Sequence, residues 1–597
     1  MKQRLASVAD LFTGLLRLSR FRLEKKSQKL SMGVFVERAA NRWPDHTMIV
    51  TERQTLTWSQ FNQRANQFAH FLTQQGVGPG DSVALLMEND PELLAALVGV
   101  CKLGATAGLI NSGLRGESLK HCISTVGGRT VIFGSTSSSA VAVVRDELID
   151  CDLHYFATGA GADKLSDTGF SETQVRADSQ LASNPAQTRE VSFTDPAYYI
   201  FTSGTTGLPK AAVVTHYHWY KASSAFSKLL LGLEPDDRMY VCLPLFHTAA
   251  MLCGFGASVM AGSSFYLARK FSASNFWEEV RASNSNVFLY IGELCRYLLN
   301  APQQASDGDN PLTSCVGNGL QPELWSVFQE RFQIRKVAEY YGSTEGNLAF
   351  MNILNRERTF GMGLGRFRVV RYEQKRGEIV RNPKGFCIQA QMDEVGLLLC
   401  EISEKNPFNG YTDRAATNEK VLKDVFTVGD SYLNTGDLIK RADVGFSFGI
   451  PHYQFSDRVG DAFRWKGENV SASEVSEIIS GIPGVQQSSV YGVSIPNTEG
   501  RAGMVALVVD QDEFDIDSFA EALAERVPAY AQPVFVRIEN SLETTDTYKI
   551  KNSILSEQAY DIRSIATPVW VKKPHTEQYV SLNLAYLKLI EDGCAGY

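Results

Sequence analysis

The chain has 597 residues, too many for one compact core, so more than one domain is expected. Hydrophobic residues make up 44% and charged residues 21%, an ordinary globular balance, and a net charge of −8 argues against nucleic-acid binding, which needs a surplus of Lys and Arg along the contact face. The 10 cysteines show no CxxC pair and no Cys/His spacing of the zinc kind, and several lie in apolar runs such as Val241-Cys242-Leu243, the pattern of buried free thiols. Residues 1–30 lack an uninterrupted apolar h-region and a small-residue cleavage site, so a reducing, cytoplasmic compartment is expected.

That first segment carries Lys2, Arg4, Arg17, Arg20, Arg22, Lys25, Lys26 and Lys29 against Asp10 and Glu24, a local balance of +6. Leu5, Val8, Phe12, Leu15, Leu16 and Leu23 recur at helical spacing, so the segment reads as a basic amphipathic helix. Two uses fit: an interfacial helix on the inner face of the cell membrane, or a helix packed on its own domain with solvated lysines. From Ser31 to Phe193 amphipathic helices (Phe35–Arg42, Trp58–Gln75) alternate with β-rich runs (Thr47–Thr51, Ser82–Met87), which implies parallel sheets covered by helices. The apolar stretch Leu93–Ile110 contains Lys102, Gly99, Gly104 and Gly108 and reads as a buried helix leading into a strand, not a membrane span. Residues 157–190 are small and polar, a surface excursion.

Then comes Tyr199-Ile200-Phe201-Thr202-Ser203-Gly204-Thr205-Thr206-Gly207-Leu208-Pro209-Lys210, an apolar strand breaking into a hydroxyl- and glycine-rich loop that ends in lysine. Such a loop can cradle phosphate: Gly204 and Gly207 free the backbone to aim N–H groups at an anion, the Thr and Ser side chains add donors, and Lys210 adds charge. ATP is the natural guest. Ala211 follows the lysine where a Walker A loop needs Ser or Thr, so ordinary P-loop kinases and GTPases are disfavoured. The stretch resembles the AMP-binding signature of the acyl-adenylate-forming superfamily, which joins acyl- and aryl-CoA synthetases, nonribosomal peptide adenylation domains and beetle luciferases. In that superfamily the turn matched by Pro244-Leu245-Phe246-His247 puts its ring near the acyl carboxylate and the thiol path, which implies a gating or substrate-positioning role for His247.

Val287–Asn300 reads as a strand turning into a helix, and its Gly292-Glu293-Leu294-Cys295-Arg296-Tyr297-Leu298-Leu299 order resembles the branch of fatty acid transport proteins and very-long-chain acyl-CoA synthetases, including mycobacterial-type long-chain fatty acid–CoA ligases. Gly317-Asn318-Gly319-Leu320 precedes a helix over Glu323–Phe332, and the resemblance implies that Gly317, Gly319 and Leu320 border the adenine. Glu339-Tyr340-Tyr341-Gly342-Ser343-Thr344-Glu345-Gly346 is similar to the Tyr-Gly-x-Thr-Glu motif at every fixed position. It implies that Tyr341 stacks on adenine with Gly342 and Ser343 beside it, that Thr344 donates to the α-phosphate, and that Glu345 offers its carboxylate to Mg²⁺. Thr435-Gly436-Asp437 matches the motif whose aspartate accepts from the ribose hydroxyls.

Beyond it, Arg458 matches an arginine that touches ribose and phosphate, the hinge is placed at Gly460 or Asp461, and Lys466-Gly467 matches the loop that faces the pantetheine tunnel in the thioester-forming state. A small α/β pattern follows, with helices over Ser473–Ser480 and Ser518–Arg526 and strands over Ser488–Val493 and Met504–Val509. Thr544-Thr545-Asp546-Thr547-Tyr548-Lys549-Ile550-Lys551 resembles the catalytic-lysine site, with Lys549 assigned and Lys551 the competing choice; Thr547-Tyr548 stands where many members have Ser-Gly, again as in the fatty acid transport branch. The expected fold is α/β: a basic segment (1–30), a large domain of helix-covered sheets with a distorted β-barrel subdomain (31–457) and a small mobile C-terminal domain (458–597). The implied activity is ATP- and CoA-dependent conversion of long- or very-long-chain fatty acids to acyl-CoA through an acyl-adenylate, with Mg²⁺. Two alternatives stand beside it: a fatty-acid uptake or carrier protein with a vestigial site, and a fatty acyl-AMP ligase that loads a carrier protein. A peripheral membrane surface and a homodimer are left open as partners.

Overall fold

The computed structural model describes residues 2–148, 154–158, 180–202, 209–342, 348–373, 378–404, 406–408, 410–459, 463–465, 468–496, 498, 500–544, 550–574 and 576–597. The chain divides into two compact units. The first holds Met1–Leu320, Trp325–Gly365 and Ser403–Lys420; the second holds Gln321–Leu324, Arg366–Ile402 and Val421–Tyr597.

Two mainly parallel sheets organise the first unit. One runs His154–Thr158, Thr130–Gly134, Ser82–Leu86, Thr106–Ile110, Pro196–Thr202 and Lys210–Thr215, parallel except for the last, hairpin pair. The other has nine strands in the order 362–363, 349–351, 336–342, 314–318, 287–291, 238–241, 264–267, 47–50 and 55–57, of which the middle six are parallel. Buried strands such as Val83-Ala84-Leu85-Leu86 and Val287-Phe288-Leu289-Tyr290 are apolar without alternation, as strands covered on both faces must be.

The covering helices start where the sequence caps them. Thr57 and Gln60 form a reciprocal capping box on Trp58–Gln74, whose Phe61, Ala65, Phe68 and Leu72 face inward at helical spacing. Asp90 caps Pro91–Lys102 by accepting from the Glu92 N–H at 2.9 Å, and Pro91 occupies the first turn, where a missing N–H costs nothing. Gly99 lets these two helices touch, since a side chain there would meet Phe68 Cβ at 2.8 Å and the Ala65 carbonyl at 2.9 Å. Lys102, at the end of the apolar run, is wholly buried and donates to Glu37 (2.8 Å), Asn62 (2.9 Å) and Asn184 (3.2 Å). Among the described residues no helix is long and apolar enough to cross a membrane.

Lys2–Arg20 is helical, with Leu11 buried and Phe12 and Leu16 exposed. The chain is α-helical over His216–Ser224 and π-helical over Ala225–Leu231. Most of the excursion expected at 157–190 lies outside the described residues.

The second unit contains a six-stranded antiparallel sheet built on Ser431–Ala442, flanked by Gly396–Glu401, Val421–Lys423 and His452–Arg458; this is the β-rich part expected as a distorted barrel. The hairpin strands Phe463–Trp465 and Glu468–Val470 follow. A five-stranded sheet (485–493, 502–509, 535–538, 569–572, 579–581) with helices Ala472–Ser480, Ile516–Arg526, Asn552–Gln558 and Leu584–Glu591 completes the unit. Its core includes Ile479, Met504, Leu507, Phe519, Phe535 and Val571.

Candidate functional site

Ligands of open parallel sheets bind beyond the carboxyl ends of the strands, where side chains and turns leave the backbone ladder. Four adjacent parallel strands of the nine-stranded sheet end on one such edge. Arg238–Val241 runs into the turn bearing His247, Val287–Ile291 into Gly292, Ser314–Asn318 into Gly319 and Leu320, and Lys336–Gly342 carries Tyr341 and Gly342. Candidates separated by about a hundred residues in sequence are therefore neighbours.

The turn Gly317–Leu320 is held from below by a carboxylate. Glu339 Oε1 accepts from the Tyr290 hydroxyl at 2.7 Å and the Leu320 N–H at 2.9 Å, and Oε2 accepts from the Gly319 N–H at 3.2 Å. Glu339 and Tyr290 are both buried. Burial pushes the Glu339 carboxyl up to about 8, against the pull of its three donors, and raises the Tyr290 phenol well above its ordinary range. Gly319 has φ +82°, a left-handed state that favours glycine. A side chain at Gly292 would overlap the Gly319 carbonyl, and one at Gly317 the Tyr290 carbonyl, so both must be glycine for the turn to sit here. Sequence reasoning gave Glu339, Tyr290 and Gly292 no site role; a carboxylate inside the apolar run Val337-Ala338-Glu339-Tyr340 was the available signal. Tyr341 lies on the same strand face as Glu339, with its ring 5.2 Å from Phe360 and 5.7 Å from Phe350. Ser343, Thr344 and Glu345 lie outside the described residues.

The His247 turn is pinned by Asn89, which follows the strand Ser82–Leu86 of the other sheet. Its Nδ2 donates to the Leu243 carbonyl (3.1 Å) and the Ala268 carbonyl (3.0 Å), and its Oδ1 accepts from the Leu245 N–H at 2.9 Å. One side chain thus ties the carboxyl ends of both sheets together, with no local signal in sequence. The His247 N–H donates to the Pro244 carbonyl at 3.0 Å, and the ring is half-buried, 4.7 Å from Phe246.

Thr202 and Lys210 are register partners where Pro196–Thr202 meets Lys210–Thr215, so the glycine-rich segment joins the two strands of a hairpin. Ser203, Gly204, Thr205, Thr206 and Gly207 lie outside the described residues. His121 Nε2 lies 3.1 Å from the Pro209 carbonyl, fixing the return leg, and the outer strand is covered by residues 410–412 through Val213 N–H to Gly410 (3.2 Å) and Thr412 N–H to Ala211 (3.0 Å).

In the second unit, Asp437 and Arg458 are cross-strand partners of the sheet. The register slips here: Leu397 pairs with Leu438 and Leu399 with Asn434, so Thr435, Gly436 and Asp437 oppose Leu398 alone. Such a bulge re-aims side chains. Gly436 takes φ +74°, the Gly436 N–H donates to Asn434 Oδ1 at 3.0 Å, the Asp437 N–H donates to Thr435 Oγ1 at 3.1 Å, and the Thr435 hydroxyl donates to the Leu398 carbonyl at 2.9 Å. Asp437 is buried. Gly460, Asp461, Lys466, Gly467 and Lys549 lie outside the described residues; Lys551 is exposed and starts the helix Asn552–Gln558.

Comparison with known proteins now bears on this arrangement. Residues 36–371 match the AMP-binding enzyme family and residues 474–549 match the AMP-binding enzyme C-terminal domain. The medium/long-chain-fatty-acid–CoA ligase FadD6 of Mycobacterium tuberculosis is 38% identical over 574 residues, covering 94% of this chain and 92% of that one. Long-chain fatty acid transport protein 2 of Rattus norvegicus is 36% identical over 572 residues, covering 94% and 90%. The structure of the anthranilate CoA ligase AuaEII in complex with anthranoyl-AMP superposes with a TM-score of 0.74 at 20% identity over 91% of this chain and 99% of that one, which speaks to the fold. Family match and full-length relatives agree, and the chain belongs to the AMP-binding enzyme family.

Proposed function

We propose that the protein activates long- or very-long-chain fatty acids as CoA thioesters. The observation that carries this is 38% identity along 94% of the chain to a medium/long-chain-fatty-acid–CoA ligase. In the proposed reaction a carboxylate oxygen attacks the α-phosphorus of ATP, the α–β anhydride breaks, and acyl-adenylate and pyrophosphate form. The thiol sulfur of CoA then attacks the acyl carbonyl, and AMP leaves.

The residues divide the work by charge and position. Thr202–Lys210 holds the phosphates, with Thr344 donating to the α-phosphate, and Lys549 neutralises carboxylate and α-phosphate as they meet. Gly317, Gly319, Leu320, Tyr341, Gly342 and Ser343 border the base, and Asp437 and Arg458 take the ribose. Support for the last pair is their cross-strand register and the bulge that re-aims Asp437. His247 positions the acyl carboxylate, and Lys466-Gly467 serves the thioester half-reaction after a hinge at Gly460 or Asp461, with 458–597 as the moving domain. Mg²⁺ enters through Glu345, where it would supply charge to the phosphates. Among the described residues no group of three or more His, Cys, Asp or Glu side chains could hold a metal ion. Lys549→Ala tests the assignment: acyl-adenylate formation from acid and ATP should fall by orders of magnitude, and a wild-type rate would remove Lys549 from the mechanism. Free CoA compared with acyl carrier protein as acceptor separates a CoA ligase from an acyl-AMP ligase.

A specific observation also supports a peripheral place on the inner face of the cell membrane. On the helix Lys2–Arg20, Leu11 is buried and a side chain at Gly14 would meet the Ile353 carbonyl at 2.8 Å, so one face is packed on the domain. The other presents Phe12 (64% exposed) and Leu16 (48% exposed) beside a cavity of about 480 Å³ lined by Arg17, Arg20, Arg22 and Lys228. Apolar side chains beside clustered cations suit an anionic bilayer. Sedimentation with anionic vesicles should exceed that with neutral ones and drop in an Arg20→Glu, Lys228→Glu variant; equal sedimentation of all samples would reject this placement.

A further inference from the structure

The proposal above makes the turn Gly317–Leu320 a wall for the nucleotide base, and the role of Glu339 rests on that reading. Glu339 spends a buried carboxylate on two backbone N–H groups and one hydroxyl. No lysine or arginine among the described residues pairs with it. A buried charge without a cation is costly, and an amide or an apolar residue would fill the same strand position at less cost, so packing alone does not account for it.

What the carboxylate does is specific to the turn. A planar trans peptide points its C=O opposite its N–H. Drawing the N–H groups of Gly319 and Leu320 toward Glu339 therefore turns the carbonyls of Asn318 and Gly319 away from it. Gly319 keeps its left-handed φ, and Gly292 and Gly317 leave room for the displaced backbone. Tyr290, whose ring adjoins Gly317, holds Oε1 from the neighbouring strand. We propose that Glu339, oriented by Tyr290, is a positioning residue for the nucleotide: its carboxylate fixes the Gly317–Leu320 turn in the conformation that receives the base.

The ionised form serves this best. It accepts all three hydrogen bonds, whereas a proton on Oε2 would confront the Gly319 N–H. The titratable groups facing Glu339 are Tyr290, Tyr340, Cys295 and Cys315, all raised well above their ordinary values by burial and so neutral through the working range. Nucleotide affinity should therefore improve as pH rises through about 8, where Glu339 loses its proton. Glu339→Gln mimics the protonated state: it can accept from Tyr290 and Leu320 but presents an NH₂ group to Gly319.

The test is the dissociation constant for ATP, by calorimetry on the full chain from pH 6.5 to 9.5, beside KM and kcat for acid-dependent pyrophosphate release. Wild type should bind several-fold tighter at pH 9.5 than at pH 6.5, Glu339→Gln should show a flat profile near the low-pH value, and Tyr290→Phe should weaken binding about tenfold at pH 9 with kcat changed far less. Parallel pH profiles for wild type and Glu339→Gln, or unchanged affinity in folded Tyr290→Phe, would overturn the role. Because binding is measured without turnover, a protein that binds ATP with these pH dependences but releases no pyrophosphate would defeat the ligase reading and leave the positioning role supported; a wild type that binds no ATP would overturn both.

Discussion

Replacing Lys102 by methionine should destabilise the first unit severely while leaving its apolar packing nearly intact. Lys102 is 0% exposed and its partner Glu37 has a side chain 12% exposed, so the change strands a carboxylate in a nearly dry site and removes the donor shared by Asn62 and Asn184. Breaking a buried ion pair from one side costs about 3–5 kcal/mol. Removing both charges, as Lys102→Met with Glu37→Gln, should recover most of that loss, because the stranded charge is the main cost. The pH dependence has a defined sign. Burial lowers the Lys102 ammonium from 10.5 to about 8, with Glu37 opposing the shift. Between those values the unfolded chain binds a proton that the folded chain has lost, so this group adds stability as pH rises from about 8 towards 10.5. Lys102→Met should lack that rise. Hydrogen exchange of the Pro91–Lys102 amides reads the local opening free energy. A Lys102→Met opening energy within about 1 kcal/mol of wild type, when ~3–5 is expected, would refute the reasoning.

Gly292→Ala should weaken ATP binding at least tenfold, because the new Cβ would overlap the Gly319 carbonyl and force the turn aside; calorimetry checks it, and unchanged affinity would show that the turn does not serve the nucleotide. Asn89→Ala should cost about 1–3 kcal/mol and raise KM for the fatty acid, since the Leu245 N–H and two carbonyls lose their partner beside His247. Burial lowers the His216 imidazole to about 3, and its Nδ1 accepts from the Met32 N–H at 3.2 Å. Unfolded His216 protonates below 6.5 while the folded ring stays neutral, so stability should fall as pH drops from 6.5 towards 3, and His216→Gln should shed part of that acid sensitivity in denaturant titrations.

The motifs of the candidate site can be read in sequence because each is local. The strand-to-loop breaks at Gly317–Gly319 and Tyr341–Gly342 follow adjacent parallel strands of one sheet, which bring them to one edge. What escaped were pairings set by register and by distant contacts. Glu339 meets Tyr290 only because the strands that carry them lie on either side of Ser314–Asn318. Asn89 reaches Leu243 across 154 positions, and Lys102 finds Glu37 across 65. The bulge at Thr435–Asp437 depends on how Leu397–Leu399 pairs opposite it, which no window around the Thr-Gly-Asp triplet contains.

The central claim is most directly tested by product stoichiometry in a mixture of the full chain, ATP, Mg²⁺, free CoA and fatty acids of graded length. The account predicts that AMP, pyrophosphate and acyl-CoA appear in equal amounts, that none forms without fatty acid, and that long chains support the fastest turnover. Pyrophosphate release that ignores the acid, or acid-dependent release with no thioester to CoA, would contradict it.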